Sequence, residues 1–149
     1  MDERLERILH RENLTLASIK KRSLAFVIDE TLLSFLLIIA LFDTFQNAAT
    51  MEEIINVTNS FVLEYVFVKI IYQAFFTMQY GGSLGKIVMK IKVIEIRTLG
   101  NPNVFASLNR AIFRILSEMF FYLGFLWGVM QPSRQTWHDK TAKTLVVDA

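Results

Sequence analysis

The sequence predicts an all-α integral membrane protein: a small bundle of two full transmembrane helices plus a third membrane segment, with an N-terminal amphipathic helix and a short cytoplasmic β-hairpin. Three observations predict it. Hydrophobic residues make up 53% and aromatics 13% of a 149-residue chain with a mean hydropathy of +0.38, too apolar for an ordinary soluble domain. Three apolar runs, at 23–42, 61–80 and 111–131, are each about 20 residues long, the length that crosses a ~30 Å hydrocarbon core. Lys and Arg are distributed unequally among the connections, which is how orientation is written into membrane proteins.

The chain is short enough to hold one domain, and it divides into an N-terminal amphipathic or interfacial segment, 1–22, and a membrane domain, 17–149. In the first segment Leu5, Ile8, Leu9, Leu16 and Ile19 form a helical stripe opposite Arg4, Arg7 and Arg11. Such a stripe lies on the inner leaflet or extends the first span. The residues before Ser23 are mostly polar and no small-residue cleavage site follows the first apolar run, so that run is expected to stay as an anchor.

Orientation follows from the basic residues. Arg4, Arg7, Arg11, Lys20, Lys21 and Arg22 precede the first span, whereas the 43–60 loop has no Lys or Arg and carries Asp43, Glu52 and Glu53. The N-terminus is therefore expected in the cytoplasm and the 43–60 loop outside. Lys86, Lys90, Lys92, Arg97 and Arg110 return the 81–110 connection to the cytoplasm. The third segment leaves two alternatives. A full crossing would put the basic tail with Arg134, Lys140 and Lys143 outside, whereas two half-helices turning near Gly124 would form a re-entrant hairpin and keep the tail inside. Near the third segment, 93–97 alternates as a strand before the turn at Gly100-Asn101-Pro102, and 144–148 is the β-rich run that can pair with it.

Every apolar run carries charge: Asp29 and Glu30 in the first, Glu64 and Lys69 in the second, Arg114 and Glu118 in the third. An ionised side chain at the centre of a spanning helix costs about 2.5–3.5 kcal/mol, so charges in all three imply that they meet inside a bundle. Arg22 and Asp29 are seven residues apart, so they share a face but lie ~10 Å apart along the axis. Arg110, Arg114 and Glu118 follow one another at fours on one stripe, which allows Arg114 to pair with Glu118. Arg114 or Lys69 is then the complementary partner for Asp29 or Glu30. His138 and Asp139 stand just past the last apolar run, beside Trp137 and Arg134.

These residues resemble the RDD family of small membrane proteins, named for one arginine and two aspartates. The resemblance rests on Ala17-Ser18, Lys21-Arg22, Ala25 and Ile28-Asp29, then Gly82-Ser83, Gly85-Lys86 and Ile91-Lys92-Val93-Ile94. It continues through Asn109-Arg110 and Arg114 to Arg134-Gln135-Thr136-Trp137-His138-Asp139-Lys140, with Ala142, Thr144 and Val146-Val147 at the end. It implies that Arg22, Asp29 and Asp139 are the signature residues; Glu118 and the Glu64/Lys69 pair are not part of the pattern. The resemblance implies little about activity, with transport and accessory roles both suspected. An Arg22–Asp139 salt bridge at the membrane surface, closing the tail on the first helix, follows if the tail is cytoplasmic.

Several chemistries find no support in the sequence. Gly81-Gly82-Ser83-Leu84-Gly85-Lys86 has Tyr80 in place of the first glycine of a phosphate loop and Ile87 in place of its Ser/Thr. Cysteine is absent and there are two histidines, so a metal site would need distant carboxylates. No nucleophile elbow occurs, no internal repeat of the kind many transporters carry is visible, and no catalytic residue, metal or cofactor is assigned. The basic residues lack interleaved aromatics, which suits anionic lipid headgroups rather than nucleic acid. Two functions remain: an accessory or scaffold protein of a bacterial cytoplasmic membrane that binds other membrane proteins, with the charges as structural locks, or cation/proton transport by a homo-oligomer through the intramembrane acids.

Overall fold

The structure, a computed structural model, describes residues 2–120 and 122–149; Phe121, within the third apolar run, and Met1 lie outside the described residues. Nine helices and two strands follow one another among the described residues. The longest helix, α2 (Ile19–Ala40), is the one element long and apolar enough to cross a membrane unbroken. It begins where the Ser18 hydroxyl accepts the Lys21 N–H at 3.2 Å, an N-cap. Its 22 residues give ~33 Å, slightly more than a hydrocarbon core. Leu24, Val27, Phe35, Leu36, Ile38 and Ile39 are exposed along it, whereas Ala25, Asp29 and Leu33 are buried. The helix is thus apolar outside and charged inside, the arrangement lipid requires.

The 43–60 stretch expected as a loop is instead helical, as α3 (Phe42–Asn47) and α4 (Met51–Ser60). Thr50 accepts the Glu53 N–H and Glu53 accepts the Ala49 N–H, two reciprocal bonds that start α4. The second apolar run is α5 (Val62–Tyr80), which meets α4 at a bend of 52°. Gly81 ends α5 with φ +76°, a left-handed cap that a side chain resists.

The third apolar run starts earlier than the sequence suggested. Asn103 caps α7 (Val104–Met119) by accepting the Ala106 N–H at 2.8 Å, and α8 (Leu123–Met130) follows at an angle of 104°. The break falls before Gly124, not at it: Tyr122, with φ +62°, precedes α8, and Gly124 is buried within its first turn. A straight crossing is therefore not what these residues form.

Four shorter elements complete the fold. The short helix α6 (Leu84–Val88) packs on α2, and α9 (Trp137–Thr141) packs on α7, α8 and the last strand. Strands β1 (Ile91–Glu95) and β2 (Thr144–Asp148) pair antiparallel with Val93 opposite Val146. The two β-rich runs pair as expected, with α7, α8 and α9 as the connection between them. The first strand also begins two residues earlier than the 93–97 reading.

The N-terminal stripe divides in two. Helix α1 (Glu3–Arg11) stops ahead of Asn13, whose φ is +51°, so Leu16 and Ile19 do not share a helix with Leu5 and Leu9. Leu16 instead bridges to Val147, and the Ala17 N–H donates to the Val146 carbonyl at 3.0 Å. Leu5 and Leu9 pack on Ile94, Leu145 and Val147, burying the apolar face of α1 against the ribbon. Among the described residues, 16–17, 91–95 and 144–148 thus form one small β-structured body under the helices.

Candidate functional site

Two charge networks occupy the interior, and each is built by elements far apart in sequence. The first centres on Asp29, 1% exposed, whose carboxylate accepts the Ser83 hydroxyl at 2.6 Å, the Tyr72 hydroxyl at 2.8 Å and the Gly85 N–H at 2.9 Å. Arg114 Nη1 stands 3.8 Å away. Next to it Glu30 meets Lys69 at 3.0 Å and Arg114 at 3.5 Å, and Glu118 meets Lys69 at 2.6 Å and Arg114 at 3.5 Å. Helices α5 and α7 pack closely, while α2 approaches mainly through these long side chains. Phe26 of α2 adds its ring beneath the Arg114 guanidinium at 5.1 Å.

Ser83 and Gly85 explain the glycine-rich stretch that looked like a phosphate loop. Ser83 starts α6, and with the Gly85 N–H it turns the start of that helix toward Asp29. A methyl group at Gly85 would overlap the Ala25 carbonyl oxygen and crowd the Asp29 carboxylate. Gly85→Ala is expected to cost about 1–3 kcal/mol or more, since the obstacle is backbone rather than a side chain free to turn. Detergent-solubilised protein should show the loss as a lowered unfolding temperature.

The second network centres on Asp139, which is completely buried within the protein. Its carboxylate takes Arg22 Nη2 at 2.6 Å, an Arg110 guanidinium nitrogen, the Thr136 N–H at 3.0 Å and the Thr136 hydroxyl at 2.9 Å. The Thr136 contacts form a capping box, so the aspartate that receives two arginines also starts α9. Arg110 reaches on to the Thr144 hydroxyl of β2, and Arg22 donates also to the Arg134 carbonyl. Arg134 donates to the Leu16 and Ala17 carbonyls, tying the tail to the entry of α2. Burial opposes ionisation of Asp139, but the Arg22 and Arg110 charges outweigh it and hold the carboxyl well below the usual range. His138, also buried, is pushed by burial well below its ordinary value and is neutral at pH 7. Its Nε2 lies 3.0 Å from the Thr136 hydroxyl, and its ring meets Phe125 edge-on at 5.4 Å.

The sequence profile of the RDD family matches residues 16–143. The chain belongs to the RDD family. No curated protein and no solved structure matches it. The matched region of this RDD protein takes in Arg22, Asp29 and Asp139, which sit at the centres of the two networks. Glu30, Lys69, Arg114 and Glu118 join Asp29, and Arg110 and His138 join Asp139.

Glu64 joins neither network, a correction to the sequence reading. It lies exposed in the first turn of α5 with no ion pair among the described residues. Five residues separate it from Lys69, which places the two about 140° apart around the helix. Glu64→Gln should change stability by less than about 0.5 kcal/mol, the usual range for such surface sites. Tyr72, conversely, was missed. Lys69, Tyr72, Gln73 and Thr77 recur at helical spacing as a polar stripe in an apolar helix, and Lys69, Gln73 and Thr77 are buried. That periodicity was the available signal.

Proposed function

We propose that this RDD protein is an accessory component of a bacterial cytoplasmic membrane that binds other membrane proteins, its internal charges acting as structural locks. The observation that carries the reading is that the interior carboxylates are committed within the chain: Asp29 to three hydrogen-bond donors, Asp139 to two arginines, and Glu30 and Glu118 to Lys69 and Arg114. Groups so engaged are poor carriers, because releasing them leaves buried donors unpaired. Outside, large apolar residues cover α2 and α5, including Phe35, Phe67 and Ile71. Such faces suit lipid or the helices of a partner.

The same reading carries an orientation. Hydrogen-bonded strands do not lie on opposite sides of a bilayer, so residues 16–17, 91–95 and 144–148 share one side. The excess of Lys and Arg in those connections favours the cytoplasm, leaving 43–60 outside and α7–α8 as a re-entrant hairpin.

A second reading, cation or proton transport by a homo-oligomer, is favoured by one observation. Glu30 keeps 27% of its side-chain exposure, so one acid of the inner network is open at its edge. Photocrosslinkers placed at Phe35 and Phe67 in native membranes, with flux measured in proteoliposomes carrying a pH-sensitive dye, separate the two. A discrete protein adduct beside silent liposomes is the expected result. Cation-driven proton flux abolished by Glu30→Gln would sink the accessory reading in favour of transport.

A further inference from the structure

Between α2 and α8 lies a cavity of about 430 Å³, within the range of small-ligand sites. Its two ends differ in chemistry. Val27, Tyr122, Leu126 and Val129 form an exposed apolar rim, so it opens on the surface that would face lipid chains. Arg22, Lys86, Arg114 and His138 line its polar part, where Asp29 is the only carboxylate among the described residues. Phe26 and Phe125, with ring centroids 5.4 Å apart, line it as well.

The polar part is not electrically closed. The two networks balance, with the four cations Arg22, Lys69, Arg110 and Arg114 meeting the carboxylates Asp29, Glu30, Glu118 and Asp139. Lys86 adds a fifth cation, and among the described residues it makes no ion pair and no hydrogen bond. Arg22 and Asp29 face it from α2, Arg110 and Arg114 from α7, and His138 from α9. His138 is 5% exposed, yet among the described residues its Nδ1 has no hydrogen-bond partner. Buried polar atoms of this kind call for a partner.

The geometry points to a specific site for one anionic membrane phospholipid, its singly charged phosphodiester at Lys86 and Arg22 and an acyl chain along the Val27–Leu126–Val129 rim. One phosphodiester supplies the single negative charge the polar part lacks. A zwitterionic lipid would bring a second cation to a place already rich in them. This occupancy is independent of whether the outward faces bind other proteins. Burial, with the Arg110 and Arg114 charges, lowers the Lys86 ammonium to about 7. Phosphate binding favours its charged form, so Lys86 takes up a proton as the lipid enters and the lipid's affinity falls as pH rises through 7.

Thermal unfolding and native mass spectrometry of the purified full chain, with added phosphatidylglycerol or phosphatidylcholine, test the site. Phosphatidylglycerol should raise the unfolding temperature and be retained as one molecule, and phosphatidylcholine should do neither. Lys86→Gln should weaken phosphatidylglycerol binding about tenfold, the effect of one charge-assisted hydrogen bond, while Lys86→Arg preserves it. Leu126→Trp, which narrows the cavity from its exposed rim and leaves both networks whole, should block the lipid independently. Equal stabilisation by the two lipids, or selectivity surviving both Lys86→Gln and Leu126→Trp, overturns the proposal. So does a full effect from inorganic phosphate or glycerol phosphate alone, which would make the ligand a soluble anion.

Discussion

Asp139→Ala should be the most damaging single substitution in the charge networks, lowering stability by about 3–5 kcal/mol, because it leaves two arginines buried without a counter-charge. Arg22 is only 12% exposed at its side chain and Arg110 only 5%, so neither can recover its loss by turning into water. The substitution also removes the cap of α9, worth about 1 kcal/mol. Chemical or thermal unfolding in detergent measures the total. Arg110→Ala combined with Asp139→Ala should lose much less than the sum of the two, since the pair has one interaction to lose. Acid should act in the same direction. Asp139, held well below its ordinary value, contributes stability that is complete above about pH 4 and lost as pH falls through its folded value. His138 works alongside it: burial keeps it neutral in the fold, so the unfolded chain takes up its proton first and stability starts to fall below about pH 6.5. Asp139→Asn should therefore flatten the lower part of the acid profile and leave the upper part in place.

What the sequence made legible was the periodic part of the fold and the charge pairing. Long apolar runs with a carboxylate or cation inside them have few ways to be stable in lipid, so Arg114 or Lys69 could be offered as the partner of Asp29 or Glu30; Arg114 meets both, Lys69 only Glu30. The ribbon was legible for a similar reason, since 93–97 and 144–148 were the two β-rich runs at hand, although the first strand forms two residues earlier, at Ile91–Glu95. Breaks were harder. The bend before α8 falls at Tyr122, a residue with no turn preference, while nearby Gly124, the obvious turn residue, is used for packing within the helix. Tertiary contacts with α7 and α9 decide that bend, and local propensity does not see them. Short-range donors were equally hidden. Ser83 and Gly85 acquire their role only when α6 docks on α2, and the stretch between Tyr80 and Ile87 resembles a ligand loop until that docking is known.

Asp29→Ala is the second large effect, and its comparison with Asp29→Asn decides what this aspartate is for. The alanine leaves the Tyr72 hydroxyl, the Ser83 hydroxyl and the Gly85 N–H without their acceptor, each costing about 1–3 kcal/mol if it stays buried. It also leaves Arg114 short of one neighbour, though Glu30 and Glu118 remain. Asparagine keeps the size and one acceptor oxygen, so it can still receive the Tyr72 hydroxyl and the Gly85 N–H while turning an amide toward Ser83, whose hydroxyl can accept as well as donate. A lock therefore predicts a graded series in unfolding temperature, wild type above Asp29→Asn above Asp29→Ala, with lipid binding and partner crosslinking following stability down. A carrier predicts a different pattern. Asp29→Asn would then be as stable as the wild type, or more so, because it removes a charge from the interior, and it would abolish flux outright. The three hydrogen bonds on one carboxylate argue for the graded series: among the described residues none of the three donors has another acceptor, so each depends on Asp29 to stay paired.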